Sequence, residues 1–208
     1  MQPHEYSIIG HNRARIGRRL GTVAAIIASS LAALGVVIFR IAEQLGLPDQ
    51  LGPAIAIPIS ASLVFPIVHV IFDNWLWKHS VLVKILGVPD LNGVWDCEGQ
   101  TIGGGNSLGE KWTGVVSVVQ TWEKISVYLD TASSSSYSVA ASLIHQPGRG
   151  FVLMYSYRNE PGISDTDLKG HIGYCELQIG SDIREATGDY FNNRGRTTYG
   201  KMKLKRRN

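Results

Sequence analysis

Two stretches of this chain, Leu20 to Phe39 and Leu51 to Phe72, run for 20 and 22 residues without a charged side chain. A helix rises about 1.5 Å per residue, so each run is roughly 30 Å long when helical, the thickness of a bilayer's hydrocarbon core. The expected architecture is an N-terminal transmembrane α-helical hairpin. A cleaved signal peptide fits the first run poorly, because the apolar core is too long and no small-x-small cleavage site precedes a polar start.

Charge sets the expected orientation. Residues 1 to 20 carry Arg13, Arg15, Arg18 and Arg19 against Glu5, whereas the connector Arg40 to Gln50 has one basic residue and the acids Glu43 and Asp49. The positive-inside rule then places both termini, and hence the soluble domain, in the cytoplasm. The segments on this reading are a basic cytoplasmic N-terminus at 1–19, transmembrane helices at 20–39 and 51–72, a periplasmic loop at 40–50, an interfacial linker at 73–90 and a cytoplasmic ligand-binding barrel at 91–208. From Gly93 onward 13 basic residues face 12 acidic ones, so no DNA-binding surface is expected.

The first run is rich in small residues (Gly21, Ala24, Ala25, Ala28, Ala32, Ala33) that let another helix approach closely, and the second run is its expected partner. Pro58 and Pro66 interrupt the second run, which is either a static kinked helix or an element that repacks when subunits gather. Trp75 and Trp77 are expected at the headgroup level, where amphipathic indoles concentrate. Val81 to Leu86 reads as a short helix stopped by Gly87 and Pro89. Cys97 and Cys175 lack metal-ligand spacing and read as buried, reduced thiols.

From Gly93 the period changes from helical to alternating, broken by Gly, Pro, Asn and Asp clusters. Eight strands are expected, at Gly93–Gln100, Trp112–Gln120, Lys124–Thr131, Ser134–Gln146, Phe151–Asn159, Leu168–Ile179, Glu185–Asn192 and Arg196–Arg206. Eight strands joined by short turns fit an all-β, eight-stranded antiparallel up-and-down β-barrel, which leaves no free edge. The last strand points Lys201, Lys203 and Lys205 outward, which excludes a lipid-facing outer-membrane barrel. Gly93-Val94-Trp95 resembles the opening of lipocalin and avidin-like barrels, whose tryptophan plugs one end.

Splitting each strand by parity gives the expected lining. The first strand turns Trp95, Cys97 and Gly99 inward; the fifth turns Leu153, Tyr155, Tyr157 and Asn159. The sixth contributes His171, Gly173, Cys175 and Leu177, the seventh Gly188, Tyr190 and Asn192, and the last Arg196, Thr198, Gly200, Met202 and Leu204. Ser133 to Ser136 enter the same wall. The lining passes from apolar to polar toward one mouth, where Tyr155, Tyr157, Asn159, His171, Tyr190, Asn192, Arg194, Arg196 and Thr198 are the candidate ligand-binding residues. Such a set is costly to bury without partners. It suits a planar anionic guest, with tyrosines stacking on bases, asparagines reading base edges and arginines holding phosphate. No nucleophile motif, phosphate loop or metal-ligand spacing is present, so neither enzymatic activity nor a metal or other cofactor is expected. Two other readings remain at this level: a membrane-tethered, lipocalin-like carrier of an apolar molecule, and a scaffold recruiting a protein through Val115, Val119, Val139 and Leu143 on the outer rows.

The whole chain also resembles a known family, the two-transmembrane, β-strand-rich (S-2TMβ) effectors encoded beside cyclic-nucleotide synthases in bacterial CBASS antiphage defence. The resemblance is carried by the hairpin, Leu91-Asn92-Gly93-Val94-Trp95, Gln120-Thr121-Trp122-Glu123-Lys124-Ile125, the serine run, Tyr155-Ser156-Tyr157-Arg158-Asn159 and Gly188-Asp189-Tyr190-Phe191-Asn192-Asn193-Arg194-Gly195-Arg196. It implies a receptor for a cyclic dinucleotide made by a cognate nucleotidyltransferase. It further implies homo-oligomerisation on activation, disruption of the lipid bilayer and death of the infected cell. Arg194 and Arg196 would then meet the phosphates, and Tyr155, Tyr157 or Tyr190 the bases.

Overall fold

The computed structural model describes residues 2–46, 61–103, 109–162, 170–193 and 197–207. Two compact units divide the chain: Met1–Gly10 with Trp77–Asn208, and His11–Leu76.

In the second of these, helix α1 spans Arg13–Gln44, beginning where the Asn12 side chain accepts a hydrogen bond from the Arg15 amide at 3.1 Å. Helix α2 spans Ala61–Asn74 and contains Pro66. Ala24 and Ala28, one turn apart, are buried against Val64, with Phe65 and Val68 packed alongside. Small side chains on one helix thus admit branched and aromatic ones from the other. Among the described residues α1 is the one helix long and apolar enough to cross a membrane by itself; α2 is a shorter apolar helix of 14 residues. Residues 51–60 of the second run, including Pro58, lie outside the described residues.

The other unit is a β-sheet whose strand order closes on itself as a barrel. Its strands are β1 His4–Ile9, β2 Gly93–Gly103, β3 Lys111–Gln120, β4 Lys124–Thr131, β5 Ser134–Gln146, β6 Gly150–Pro161, β7 His171–Ile179, β8 Glu185–Asn193 and β9 Tyr199–Arg206. Strands β2 to β9 are the eight expected ones, each antiparallel to the next, with β9 returning to β2. Alternation places Trp95 and Cys97, Tyr155 and Tyr157, Tyr190 and Asn192, and Met202 and Leu204 in the interior.

Three expectations need correction. Among the described residues the barrel has nine strands, and it is not wholly antiparallel. Strands β4 and β5 pair directly only at Tyr128–Asp130 with Ser135–Tyr137, then part. Strand β1 fills the gap, antiparallel to β4 at His4 and Glu5 and parallel to β5 from Tyr6 to Ile9. A six-residue segment ahead of a long apolar run gives little periodicity to read, and only the unpaired edges of β4 and β5 make it a strand. Second, Leu143 is buried rather than on an outer row. A bulge between Ser138 and Ala140 inserts an extra residue into β5, which inverts the inside-outside parity beyond it. Third, Trp77 is fully buried, its ring 6.3 Å from that of Trp122, and so belongs to the core; Trp75 is exposed. Helix α3, Ser80–Leu86, follows and ends at Gly87 in the left-handed conformation (φ 63°) that glycine adopts without strain.

Because β1 buries Tyr6 and Ile8, a fragment of residues 77–208 is expected to be less stable than one in which residues 1–10 are joined back by a flexible linker. Two such side chains contribute roughly 3 to 6 kcal/mol between them. Equal urea midpoints for the two fragments would show that β1 adds nothing.

Candidate functional site

One end of the barrel is shut. Trp95 lies inside it, donating from Nε1 to the Leu91 carbonyl at 3.3 Å, and the Arg206 guanidinium sits 5.5 Å from its ring centre. Arg206 also donates to the carbonyls of Asp90 and Asn92. The buried Gln120 accepts from the Leu91 amide at 2.8 Å and donates to the Tyr6 hydroxyl at 3.0 Å. A buried amide with both ends satisfied fixes the register of the segments it joins.

Toward the other end the interior opens into a cavity of about 670 Å³. Its walls are supplied by the starts of β3, β5, β7 and β9 and by the ends of β2, β4, β6 and β8. Tyr155, Tyr157, Asn159, His171, Tyr190, Asn192 and Thr198 all line it. The structure therefore brings seven of the nine candidate residues to one place; Arg194 and Arg196 lie outside the described residues.

The polar lining is tied together. The Tyr157 hydroxyl donates to Asn192 Oδ1 at 2.5 Å, and Asn192 Nδ2 donates to Thr198 Oγ1 at 2.7 Å. Asn159 Nδ2 donates to Ser134 Oγ at 3.0 Å. Trp112 Nε1 donates to the Tyr190 hydroxyl at 3.2 Å, with Thr101 Oγ1 at the same distance, and the two rings meet edge to face with centres 5.8 Å apart. Tyr155 and Tyr157 stand 6.0 Å apart. These bonds hold the rings of Tyr157, Trp112 and Tyr190 in fixed orientations around the cavity, with Tyr155 beside Tyr157, the condition for recognising a flat guest without first ordering the site.

Glycines on neighbouring strands make the room. A Cβ at Gly99 would meet the Trp112 indole at 2.1 Å, one at Gly200 the Tyr190 hydroxyl at 2.6 Å, and one at Gly173 the Tyr157 ring at 2.3 Å and Asn192 Oδ1 at 2.6 Å. Each ring lies across a strand that offers no side chain to oppose it.

Trp112, Thr101, Thr131 and Lys111 also line the cavity and were not among the expected residues. The signal for Trp112 was legible: with Val115 and Val119 taken as outer, parity alone turns Trp112 inward. Lys111 and Glu110 at the rim are the charged groups among the described lining residues. A concavity on the outer face, about 900 Å³, is lined by Glu98, Lys111, Glu176, Asp189, Lys201 and Lys203 among others, with mixed charge and no convergent set.

Deeper in, burial pushes the thiols of Cys97 and Cys175 up to about 12. Burial likewise raises the Tyr155 hydroxyl well above the ordinary phenol value. All three stay protonated at neutral pH, so the cavity floor is uncharged. Both cysteines are free, and in the folded protein they are expected to resist a thiol reagent at about pH 8, reacting fully once urea unfolds the chain. Because the folded pKa lies above the unfolded one, the unfolded chain loses these protons first as pH rises. Their contribution to stability is thus complete below about pH 9 and is lost toward about pH 12, at up to roughly 1.4 kcal/mol per pH unit for each thiol. Prompt native labelling, or a urea midpoint unmoved between about pH 8 and 10, would contradict this.

Comparison with known proteins gives two family models and one curated relative. The model described as Cap15, cyclic dinucleotide receptor domain, matches residues 86–206, from the last residue of α3 to the end of β9. The model described as Cap15, TM helices, matches residues 14–78. A protein from Yersinia aleksiciae described as CD-NTase-associated protein 15 is 36% identical over 207 residues, covering 99% of this chain and 98% of that protein.

Proposed function

The chain belongs to the Cap15 family, in which a cyclic dinucleotide receptor domain follows transmembrane helices, and from that premise we propose that the cavity at the open end of the barrel is where the messenger binds. The observation that carries the proposal is the coincidence of the receptor-domain match with a barrel holding an aromatic and amide-lined space of about 670 Å³, within the ~300–1,000 Å³ usual for small-molecule sites. Trp112, Tyr155, Tyr157 and Tyr190 offer faces and edges to two bases, while Asn159, His171, Asn192 and Thr198 offer donors and acceptors to base edges and ribose hydroxyls. Lys111 at the rim, with Arg194 and Arg196, supplies the positive charge that two phosphates require. An apolar cargo is disfavoured, since it would leave the amides and hydroxyls of the lining without compensation.

The protein acts, on this reading, as a CBASS antiphage effector. Messenger binding favours an assembled form over the monomer, homo-oligomers gather, and their helices disrupt the inner membrane, killing the infected cell. Only a difference in affinity between the two forms can drive that shift. The N-terminal strand supports the orientation: β1 precedes α1 and β2 follows α2, yet both are strands of one sheet. The chain between them must therefore begin and end on the same side of a bilayer, as a two-span hairpin does. The arginines at 13, 15, 18 and 19 support a cytoplasmic assignment for that side.

The test is a thermal-shift panel of cyclic dinucleotides against the full chain in detergent, since binding to the folded state alone raises the melting point. At least one member is expected to do so, and the double variant Arg194→Ala, Arg196→Ala to weaken it about 100-fold or more, at roughly 1.5–3 kcal/mol for each charged hydrogen bond. A panel without a shift, or a variant that binds as tightly as the parent, would refute the assignment.

A further inference from the structure

We infer that the cleft between β4 and β5, which holds the chain's own β1, is also an acceptor for β1 of a second copy, so that assembled chains are joined by exchanged N-terminal strands. The inference rests on the reading that the protein assembles when its messenger binds.

Strand β1 is the weakest-held member of the ring. It shares two residue pairs with β4 and four with β5, whereas β3 with β4 or β8 with β9 share seven. Among the described strands it is also the one with both neighbours more than 100 residues away in sequence, so no short turn ties it to either of them.

The cleft is specific for this strand. His4 Nε2 is 2.7 Å from Ser138 Oγ, Ser7 Oγ is 2.6 Å from Ser142 Oγ, and the Tyr6 hydroxyl accepts from Gln120. Tyr6 and Ile8 fill the interior behind these contacts. A vacated cleft would expose two unpaired strand edges and an apolar hollow, which is unfavourable in water. An identical strand from another copy restores every one of these contacts. Exchange therefore loses nothing in the cleft itself and links two chains.

The hinge makes exchange mechanically coupled to the helices. Gly10, His11 and Asn12 alone connect Ile9 to the start of α1 at Arg13, a reach of at most about 14 Å even when extended. Gly10 has φ +84°, with open space around it. A displacement of α1 larger than that reach must draw β1 out of its own barrel, and short hinges of this kind favour exchange over local rearrangement.

Two full-length variants with different tags, each carrying one added cysteine, Ser7→Cys or Ser142→Cys, are mixed in detergent micelles and oxidised with and without cyclic di-AMP, cyclic di-GMP or cyclic GMP-AMP, whichever raises the melting point. As a control, the double variant Ser7→Cys, Ser142→Cys must close its disulfide within one chain. If it does not, His4→Cys with Ser138→Cys replaces the pair. The native thiols are buried and do not interfere. The expected result is a disulfide-linked mixed dimer on a non-reducing gel, at least tenfold more abundant with messenger than without. A second expectation is that the double variant, oxidised within the chain before messenger is added, still shifts its melting point but no longer assembles. Assembly by light scattering without a mixed disulfide dimer would overturn strand exchange while leaving the receptor reading intact. Absence of any assembly would overturn strand exchange together with the assembly reading on which it rests.

Discussion

Replacing Gly173 with valine is expected to abolish messenger binding while leaving the barrel closed. Gly173 sits on β7 opposite Tyr157 of β6 and Asn192 of β8, and both side chains lie where its Cβ would stand, at 2.3 and 2.6 Å. Valine adds that atom and two methyls, so the phenol and the amide must swing away together, breaking the 2.5 Å bond between them and the 2.7 Å bond from Asn192 to Thr198. Two displaced hydrogen-bonding groups and a reduced cavity amount to about 3 kcal/mol or more, a loss of roughly 100-fold or greater in affinity. Valine has good strand propensity, so the backbone ladder need not suffer. Calorimetry with the cyclic dinucleotide that shifts the parent reads the effect. Should the variant fail to fold, Asn192→Ala removes the same two hydrogen bonds without adding bulk. Retained affinity in both would show that the messenger binds elsewhere.

The largest loss of stability is expected at the opposite end, from Trp95→Ala. The indole is buried, bonded to the Leu91 carbonyl and covered by Arg206. Its removal opens a large cavity and strands the guanidinium above it, at a cost of about 3–5 kcal/mol. For a unit of this size the melting temperature should fall by something on the order of 10–20 °C. Trp95→Phe keeps most of the volume and gives up mainly one hydrogen bond, so it should lose about 1 kcal/mol. If alanine and phenylalanine proved equally mild, the closed end would not be a keystone of the fold.

The contrast between these two sites reflects what each position must do. Trp95 was legible from Gly93-Val94-Trp95 alone, because a large ring on the inner row at the start of a barrel strand has one place to go. Gly173 was assigned to the inner row from parity, but its role was not legible. That role depends on a ring and an amide arriving from strands 16 and 19 residues away in sequence, and no local pattern encodes what stands opposite a glycine.

The same division runs through the molecule. Period-2 alternation located β4 and β5 to the residue and the other six antiparallel strands to within a few, because one buried face imposes hydrophobic parity on any strand, whichever neighbours it acquires. It also named seven of the residues that share one cavity. Uncharged length marked the apolar helices for a similar reason: the bilayer acts on each residue individually. What local chemistry could not determine were features set by partners distant in sequence. Residues His4–Ile9 become a strand only because β4 and β5 part and leave two edges to satisfy. Leu143 turns inward because a single bulge shifts the parity of β5, and Trp77 is core because Trp122 stands against it. Periodicity records which side of an element is buried, whereas hydrogen-bonding edges and facing rings record what buries it, and that information exists only once the sheet has closed.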